Sequence, residues 1–397
     1  MIVDMPNTST GAIAKRLVDL RETGGAVALG RVLTLVVPTD DERAEAAIAA
    51  ANEASREHPC RIIVLARGER RGTIRLDGQI RVGGDAGASE VVVLRSYGPL
   101  SDHADSMVIP LLLPDAPVVT WWPGEPPEDP AADPIGAMGQ RRITDSAASA
   151  DPPAALRRLA ACHGPGDTDF AWTRLTLWRG YLAAALDGRP EEPITAAAVT
   201  GAVDSPSSDL LAAWLTWALE CPVTRVNADP GSGIIGVRLE RASGAVELVR
   251  PDGRVATLTQ PGQPDRRLTL ARRADSECLA EELRRLDPDD IFGDVVTRGL
   301  PALEEEDAIG VDEAQRRGAI TPAEQVRQRG EELDAHAAEV ARGIAGAEPS
   351  GIELEGPSGP LDEQGRPAGE GHRPQDDAVA SPGGDRSGES GESADAP

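Results

Sequence analysis

A strand–helix–strand pattern near the start of the chain most constrains the fold. Apolar and β-branched residues run together over 31–37 and again from Cys60 to Ala66, and an Ala-rich helical stretch reaching about Glu57 lies between them. The sequence Thr39-Asp40-Asp41-Glu42 matches a capping box, in which threonine and glutamate side chains satisfy unpaired backbone donors at a helix start. Short links in this order place the two strands parallel, with the helix on one face. The sequence therefore predicts a βαβ unit in an α/β domain.

Further strand signals predict that this unit belongs to a mixed sheet. Residues 73–76 and 79–82 alternate apolar and polar around Asp77-Gly78, a dipeptide favoured in type I′ turns, and predict a hairpin. A buried strand is predicted over 90–95, and 117–122 is predicted as the last strand of the domain. We therefore expect an α/β domain with a mixed sheet over residues 1–125.

A second domain is predicted over residues 166–300. Helical patterns begin near Asp169 and within 207–209. Over 233–273 the apolar residues switch to a period of two, with Gly-containing turn signals between the runs, which predicts an antiparallel meander. A helix over 276–286 is expected to close this α+β domain.

Composition marks a linker and a tail. Residues 126–165 are rich in Pro, Asp, Ala and Ser and predict an exposed inter-domain loop, within which the pattern allows a short helix near 156–161. Residues 301–397 are strongly acidic and contain no aromatic residue, so they predict a largely disordered tail that cannot bury enough apolar surface to offset its ordering entropy. A capping box at 321–324 allows a helix over 322–344, either transient and solvated or docked on a partner.

Charge and segment length exclude two classes of partner. The net charge of −26 repels phosphate backbones and anionic lipid headgroups, so we expect neither nucleic acid nor membrane surfaces as partners. The apolar run from Met107 to Trp122 is shorter than the roughly 20 residues of a spanning helix and is interrupted by prolines. The first residues lack the layout of a secretory signal, which predicts a cytoplasmic location.

Metal and thiol chemistry have weak support in the sequence. The cysteines Cys60, Cys162, Cys221 and Cys278 never form CxxC or CxxH spacing, so we expect free thiols, with a redox-sensing pair as the open alternative. The histidines are too scattered to suggest metal ligands. No catalytic, cofactor-binding or metal-binding residues are therefore predicted.

Two short motifs resemble functional signatures but have simpler explanations. Residues 231–236 fit GxGxxG, yet a period-two strand follows where a dinucleotide site needs a helix, so a turn leading into a strand is expected. Ser101-Asp102-His103 contains the residue types of a hydrolytic triad, but sequence adjacency does not supply its spatial arrangement. Ser101 is predicted instead to cap a helix N-terminus.

The predicted meander is rich in arginine. Guanidinium groups bind carboxylate and phosphate with bidentate geometry. The pattern is compatible with an ordinary solvated sheet face or with a basic face that binds an anionic ligand or an acidic partner. The arginines concerned are Arg238, Arg241, Arg250, Arg254, Arg266, Arg267, Arg272 and Arg273.

Two segments are similar to those of a known family. LLLPDAPVVTWWPGEPP, Leu111–Pro127, resembles the segment typical of the OpcA family of glucose-6-phosphate dehydrogenase assembly proteins. Thr168–Leu175, with the following Trp178 and Arg179, resembles the family's second-domain helix opening. The resemblance extends over roughly residues 1–300 and leaves the tail outside.

The resemblance implies a non-catalytic assembly factor or allosteric activator of glucose-6-phosphate dehydrogenase. Such a protein supports oligomerisation and activity of the enzyme, and through it NADPH supply by the oxidative pentose phosphate pathway. The alternative, suggested by the arginine-rich meander, is a sugar-phosphate or NADP-binding regulator or an uncharacterised sugar-phosphate enzyme. Tryptophan and arginine are frequent at interface hot spots. The predicted partner-binding residues are Trp121, Trp122, Trp172, Arg174, Trp178 and Arg179.

Overall fold

The computed structural model describes residues 1–23, 31–69, 72–83, 89–188, 191–303 and 308–346. Residues 1–339 form one compact unit, and the described part of this unit contains two mixed sheets. The second unit, residues 340–397, is described only as far as Gly346. None of the helices in the described ranges combines the length and apolar character that crossing a bilayer requires.

The first sheet is built from eight strands with helices on both faces. Its strands are β1 (Ile2–Met5), β2 (Leu33–Asp40), β3 (Cys60–Arg67), β4 (Arg75–Arg81), β5 (Glu90–Tyr97), β6 (Val118–Trp121), β7 (Arg141–Thr144) and β8 (Asp167–Asp169). The helices along this part of the chain are α1 (Thr10–Thr23), α2 (Ala44–Ala54), α3 (Ala104–Val108) and α4 (Pro152–Ala161).

The strand order of this sheet is β1-β4-β5-β3-β2-β6-β7-β8. The six strands β5, β3, β2, β6, β7 and β8 are parallel to one another. At one edge of the sheet, β4 pairs antiparallel with β5, and β1 pairs antiparallel with β4. Parallel pairing of β2 with β3 around α2 confirms the predicted βαβ unit. The parallel strands are buried on both faces, as a doubly covered sheet requires.

The second sheet follows β8 along the chain. The helices and strands in this part of the chain are α5 (Phe170–Thr173), α6 (Thr176–Leu186), β9 (Ala196–Ala202), α7 (Pro206–Leu219), β10 (Val223–Ala228), β11 (Ile234–Glu240), β12 (Val246–Val249), β13 (Val255–Thr259), β14 (Arg266–Thr269), α8 (Asp275–Arg284), α9 (Asp290–Asp294), α10 (Leu300–Ala302), β15 (Ile309–Gly310), α11 (Val311–Arg316) and α12 (Ala323–Gly346).

The strand order of the second sheet is β14-β13-β12-β11-β9-β10-β15. Strands β11 to β14 form the predicted antiparallel meander. Strands β9 and β10 pair in parallel and are joined through α7, so a second βαβ unit continues the meander. Helices α6 and α7 cover one face of this sheet and bury its main core.

The predicted hairpin at Asp77-Gly78 is wrong. Both residues lie inside the single strand β4, which pairs with β1 on one side and β5 on the other. A Cβ atom at Gly78 would lie 2.6 Å from Cδ1 of Ile13 on α1. The glycine therefore permits close approach of a helix, which is a common reason for glycine inside a strand.

The predicted capping box at Thr39 is also wrong. Strand β2 continues through Thr39 to Asp40 because both residues pair with β3 in the parallel ladder. The Asp40 carboxylate instead accepts a hydrogen bond from the backbone N–H of Arg43 at 2.8 Å, and α2 begins at Ala44. The sequence signal identified the right turn but placed the helix start too early.

Residues 126–165 are not the exposed loop that their composition predicts. They contain β7, and Ile135 is buried in the core beneath the first sheet. Helix α4 confirms the short helix that the sequence allowed near 156–161. A Cβ at Gly136 would lie 1.8 Å from the carbonyl oxygen of Pro130, so the chain packs closely here. Strands β7 and β8 also extend the first sheet beyond 117–122, which was predicted to be its last strand.

Helix α8 does not close the second sheet as predicted. Its residues Cys278, Leu279 and Leu283 belong to the core that α2 forms on the first sheet. A helix from the second half of the chain therefore completes the core of the first sheet. The predicted domain boundaries stay a prediction.

A few residues in the described part of the predicted tail are packed. Strand β15 pairs with β10, and Ala314 and Val326 are buried. Helix α12 corresponds to the helix predicted over 322–344, and within the compact unit it lies against the meander. There Asp334 pairs with Arg267 at 3.1 Å. The expectation of disorder over 347–397 falls outside the described residues.

Candidate functional site

The structure buries the four tryptophans among the predicted partner-binding residues. Trp121, Trp122, Trp172 and Trp178 are all in the interior. Arg174 is buried along its side chain, and Arg179 is half-buried. The tryptophan rings are therefore not part of the protein surface in this structure.

Several of these residues meet around one segment, residues 167–179, which we call the junction segment. Trp121 packs on Phe170 with ring centroids 5.6 Å apart, and Trp172 packs on Phe292 at 5.7 Å. The Arg179 guanidinium lies 3.7 Å above the Trp172 ring, a cation–π contact. The junction segment thus links the two sheets through aromatic contacts.

Two of the six predicted residues lie apart from these contacts. Trp122 packs against Gly136, where an added Cβ would lie 3.0 Å from the indole ring. The Trp178 ring lies beneath the Arg250 guanidinium at 5.1 Å. Trp121 and Trp122 therefore contribute to different packing contacts, as expected for neighbouring residues at the end of a strand.

An ion-pair network holds the middle of the junction segment. Arg174 donates to both carboxylate oxygens of Asp145 at 2.8 Å each, and to Asp275 of α8 at 2.9 Å. Burial lowers the pKa of Arg174, but the hydrogen bonds and negative charge of Asp145 outweigh this effect, so its pKa is raised overall. The family resemblance marks Arg174 but not its partners, because no local sequence pattern connects Arg174 with Asp145 or Asp275.

Glu282 of α8 forms a second buried network. Its carboxylate accepts hydrogen bonds from Arg141 of β7 at 2.5 and 3.1 Å, and from Thr173 of the junction segment at 2.6 Å. Thr168 Oγ1 donates to the same group at 3.4 Å. One carboxylate therefore joins the first sheet, the junction segment and α8, and buried charges persist only when paired in this way.

Asp169 is the N-cap of α5, the helix that begins within the family-like segment Thr168–Leu175. Its buried carboxylate accepts from Ala171 N at 2.8 Å, which caps α5, and from Thr144 Oγ1 at 2.7 Å. It also accepts from the Ser146 backbone and hydroxyl at 2.9 Å each. Burial, followed by the nearby charge of Asp145, raises the pKa of Asp169. The helix predicted from Asp169 is broken after Thr173 and resumes at Thr176.

The two short motifs occupy ordinary structural positions. Gly231 and Gly233, both with positive φ, form the turn before β11, which confirms the predicted turn into a strand. Ser101 does not cap a helix, since its buried hydroxyl donates to the Ser96 carbonyl at 3.1 Å and α3 begins only at Ala104. Across the described ranges, no group of three or more His, Cys, Asp or Glu side chains is placed to hold a metal ion.

Four of the eight meander arginines form ion pairs with carboxylates of described residues, so the meander as a whole is not a continuous unpaired basic face. Arg238 pairs with Glu240 and Glu247, and Arg267 pairs with Asp334. The remaining ion pairs in this group are Arg241 with Glu192 and Arg273 with Glu281. Arg250 differs, because its terminal nitrogens donate to the backbone carbonyls of Leu270 and Ile234.

Taken together, the fold and the junction define a mixed α/β protein of two sheets joined through buried aromatic and ionic contacts. Comparison with family models identifies the group. Residues 51–161 match the OpcA model described as the N-terminal domain of a glucose-6-phosphate dehydrogenase subunit, and residues 165–296 match the model of its C-terminal domain. The chain belongs to the OpcA family, which confirms the resemblance identified from the sequence.

Other comparisons add little. No curated protein matches the chain. A solved structure described as glucose-6-phosphate 1-dehydrogenase from Mycobacterium avium aligns at 12% sequence identity, with a TM-score of 0.36, over 70% of this chain and 93% of that chain. This similarity is too weak to support an inference.

Proposed function

We propose that the protein binds glucose-6-phosphate dehydrogenase and supports its oligomeric assembly and activity as an allosteric activator. The observation that carries the proposal is the consecutive match of both OpcA domains, which cover residues 51–161 and 165–296. The protein would act in the cytoplasm, with its effect on NADPH supply arising through the dehydrogenase.

The physical basis of this role is linkage and requires no reaction by the protein itself. A protein that binds the active oligomer more tightly than the inactive form shifts the population by the difference in affinity. A rigid binding surface favours such an effect, because less conformational entropy is lost on association. The buried networks around Arg174 and Glu282 provide rigid support for the junction segment and α6.

We place the dehydrogenase contact on the outer face of α6. The predicted partner residues Trp178 and Arg179 lie on this helix and pack inward, so they orient the helix and leave its opposite side to solvent. That side presents Leu177, which is 41% exposed, together with the exposed Gly180 and Ala184. These three residues lie three and four positions apart, which places them on one stripe of the helix.

The experiment uses Leu177→Glu in the full chain and sedimentation with the purified cognate dehydrogenase. We expect the variant to fold normally and to bind the dehydrogenase at least tenfold more weakly, because a charge replaces an apolar contact. The matched control is Val18→Glu, at a residue that is 50% exposed on α1 and far from α6 in sequence. Equal binding by Leu177→Glu and the wild type would remove α6 from the interface.

A further inference from the structure

A cavity of about 140 Å³ lies at the start of α7. Strands β9 and β10 end here, and the crevice at the carboxyl ends of parallel strands is where open α/β sheets bind ligands. Its lining includes Ser205, Ser207, Gly231, Gly233, Arg250 and Arg272.

Arg250 is a buried cation without a carboxylate partner among the described residues. It is 7% exposed, and its two terminal nitrogens donate to backbone carbonyls at 2.7 and 2.9 Å. Its Nε atom is buried and has no hydrogen-bond partner in the part of the chain that the structure describes. Burial lowers the pKa of Arg250, and the charge of nearby Arg272 lowers it further, while Asp252 acts in the opposite direction. A buried guanidinium in this state favours an added negative charge.

Arg174 is the second buried guanidinium in the lining. Its side chain is 7% exposed, and its Nε also lacks a partner within the described ranges, although its terminal nitrogens bind carboxylates. Arg272 is exposed at the same cavity and forms no ion pair with a described residue. Against these three arginines the lining contains Asp204, whose carboxylate accepts from the Gly231 N–H at 3.0 and 3.2 Å. Because Asp145 and Asp275 neutralise Arg174, the positive charge at the cavity is that of Arg250 and Arg272, and Asp204 opposes it with a single negative charge.

The backbone around the cavity also suits an anion. Helix α7 is 14 residues long, and its N-terminus carries the positive end of the helix dipole. Pro206 at its first position contributes no N–H, and the Ser205 hydroxyl accepts from the Ser208 N–H, so Ser207 carries the first helical N–H that this cap does not use. Gly233 adopts φ of 64°, a conformation that lets the chain turn closely past the Arg250 guanidinium.

We propose that this cavity binds the phosphate group of a small phosphate monoester or of inorganic phosphate. Its volume is below the roughly 300 Å³ of typical drug-sized sites, which favours a compact anion over a dinucleotide. Arg250, Arg272 and the α7 N-terminus would hold the phosphate oxygens, since charge-assisted hydrogen bonds are the strong ones. This site is separate from the α6 face and does not depend on dehydrogenase binding.

Calorimetry on the full chain tests the site with inorganic phosphate, glucose 6-phosphate and uncharged glucose at constant ionic strength. We expect both phosphate compounds to bind and glucose not to bind. Arg272→Ala should weaken phosphate binding about tenfold, because one charge-assisted hydrogen bond is lost. The matched control is Arg254→Ala, an exposed arginine of the same meander outside the cavity, which should leave the affinity unchanged.

The two phosphate compounds distinguish the source of the ligand. Equal affinity for inorganic phosphate and glucose 6-phosphate means that the cavity recognises phosphate alone, and tighter binding of the sugar phosphate means that the sugar also makes contacts. Either result supports the site. Failure of both compounds to bind the wild-type chain would overturn it, as would equal weakening by Arg254→Ala and Arg272→Ala. Neither result depends on whether the dehydrogenase binds.

Discussion

Arg174 and Asp145 form a buried bidentate ion pair, with Nη1–Oδ1 and Nη2–Oδ2 distances of 2.8 Å. Their side chains are 7% and 6% exposed. The arginine belongs to the junction segment and the aspartate follows β7 of the first sheet, so the pair fixes the two sheets at their connection. Two parallel hydrogen bonds impose a specific geometry that a lysine could not reproduce.

Arg174→Ala should lower the free energy of unfolding by about 3–5 kcal/mol, because removing one partner of a buried pair leaves Asp145 uncompensated. Urea unfolding followed by circular dichroism measures the change. The control is Arg298→Ala, which removes an exposed ion pair with Asp294 and should cost less than about 1 kcal/mol. Similar small losses in both variants would show that the buried pair does not stabilise the junction.

Trp121 provides a test of core packing at the junction. Trp121→Ala should lower the free energy of unfolding by about 3–5 kcal/mol, the usual cost of truncating a buried tryptophan. Trp121→Phe should cost much less, because the indole N–H is buried with no hydrogen-bond partner among the residues described, and its removal relieves a desolvation cost. Thermal unfolding of both variants separates ring packing from the N–H. Equal losses would mean that the nitrogen contributes to stability after all.

The buried thiols predict a loss of stability at alkaline pH. Burial raises the pKa of Cys60 from 9.0 to about 11 and that of Cys278 to about 12. At pH values below the pKa of the thiols in the unfolded chain, the thiols are protonated in both the folded and the unfolded state, and this contribution to stability is fully present. As the pH rises above the pKa of the unfolded state, the thiols of the unfolded chain ionise first. Stability is therefore lost progressively until the pH exceeds the pKa values of the folded state.

Cys60→Ala makes this pH dependence measurable. Between about pH 8 and pH 10 the wild type should lose about 1 kcal/mol through Cys60, because one pKa unit corresponds to about 1.4 kcal/mol. Urea unfolding at the two pH values should show a smaller loss in the variant. An unchanged difference would indicate that Cys60 ionises equally in the folded and unfolded states.

Val326 tests the packing of α12 in the compact unit. Val326→Asp should lower the free energy of unfolding by roughly 2–4 kcal/mol, because it places an unpaired charge at a buried position. The control is Ala335→Asp at an exposed position of the same helix, where the change should stay within about 0.5 kcal/mol. If Val326→Asp is equally neutral, α12 does not pack stably on the meander.

Local sequence patterns predicted the parts of the fold that depend on neighbours in the chain. The β2–α2–β3 unit and the β11–β14 meander follow from hydrophobic periods within short windows. The pattern failed at Gly78, where the distant Ile13 explains the glycine better than a turn does. Composition likewise failed over 126–165, since a Pro- and Asp-rich stretch can still contribute a short buried strand.

The contacts of the candidate site join residues that are distant in the sequence, so no local sequence pattern predicts them. Arg174 and Asp145 are 29 positions apart, and Arg141 and Glu282 are 141 apart. Family resemblance drew attention to Arg174, but only the fold shows that it pairs inward. The same limit applies to Arg250, which is buried and donates to two backbone carbonyls, because only the three-dimensional structure shows these contacts.

The most direct test of the account is titration of the full chain into purified cognate glucose-6-phosphate dehydrogenase, with oligomer mass and enzyme activity measured on the same samples. Binding that favours the active oligomer predicts that its mass fraction and the activity rise together and saturate at the same ratio of the two proteins. No change in either oligomer mass or activity at saturating concentrations would contradict the proposed function.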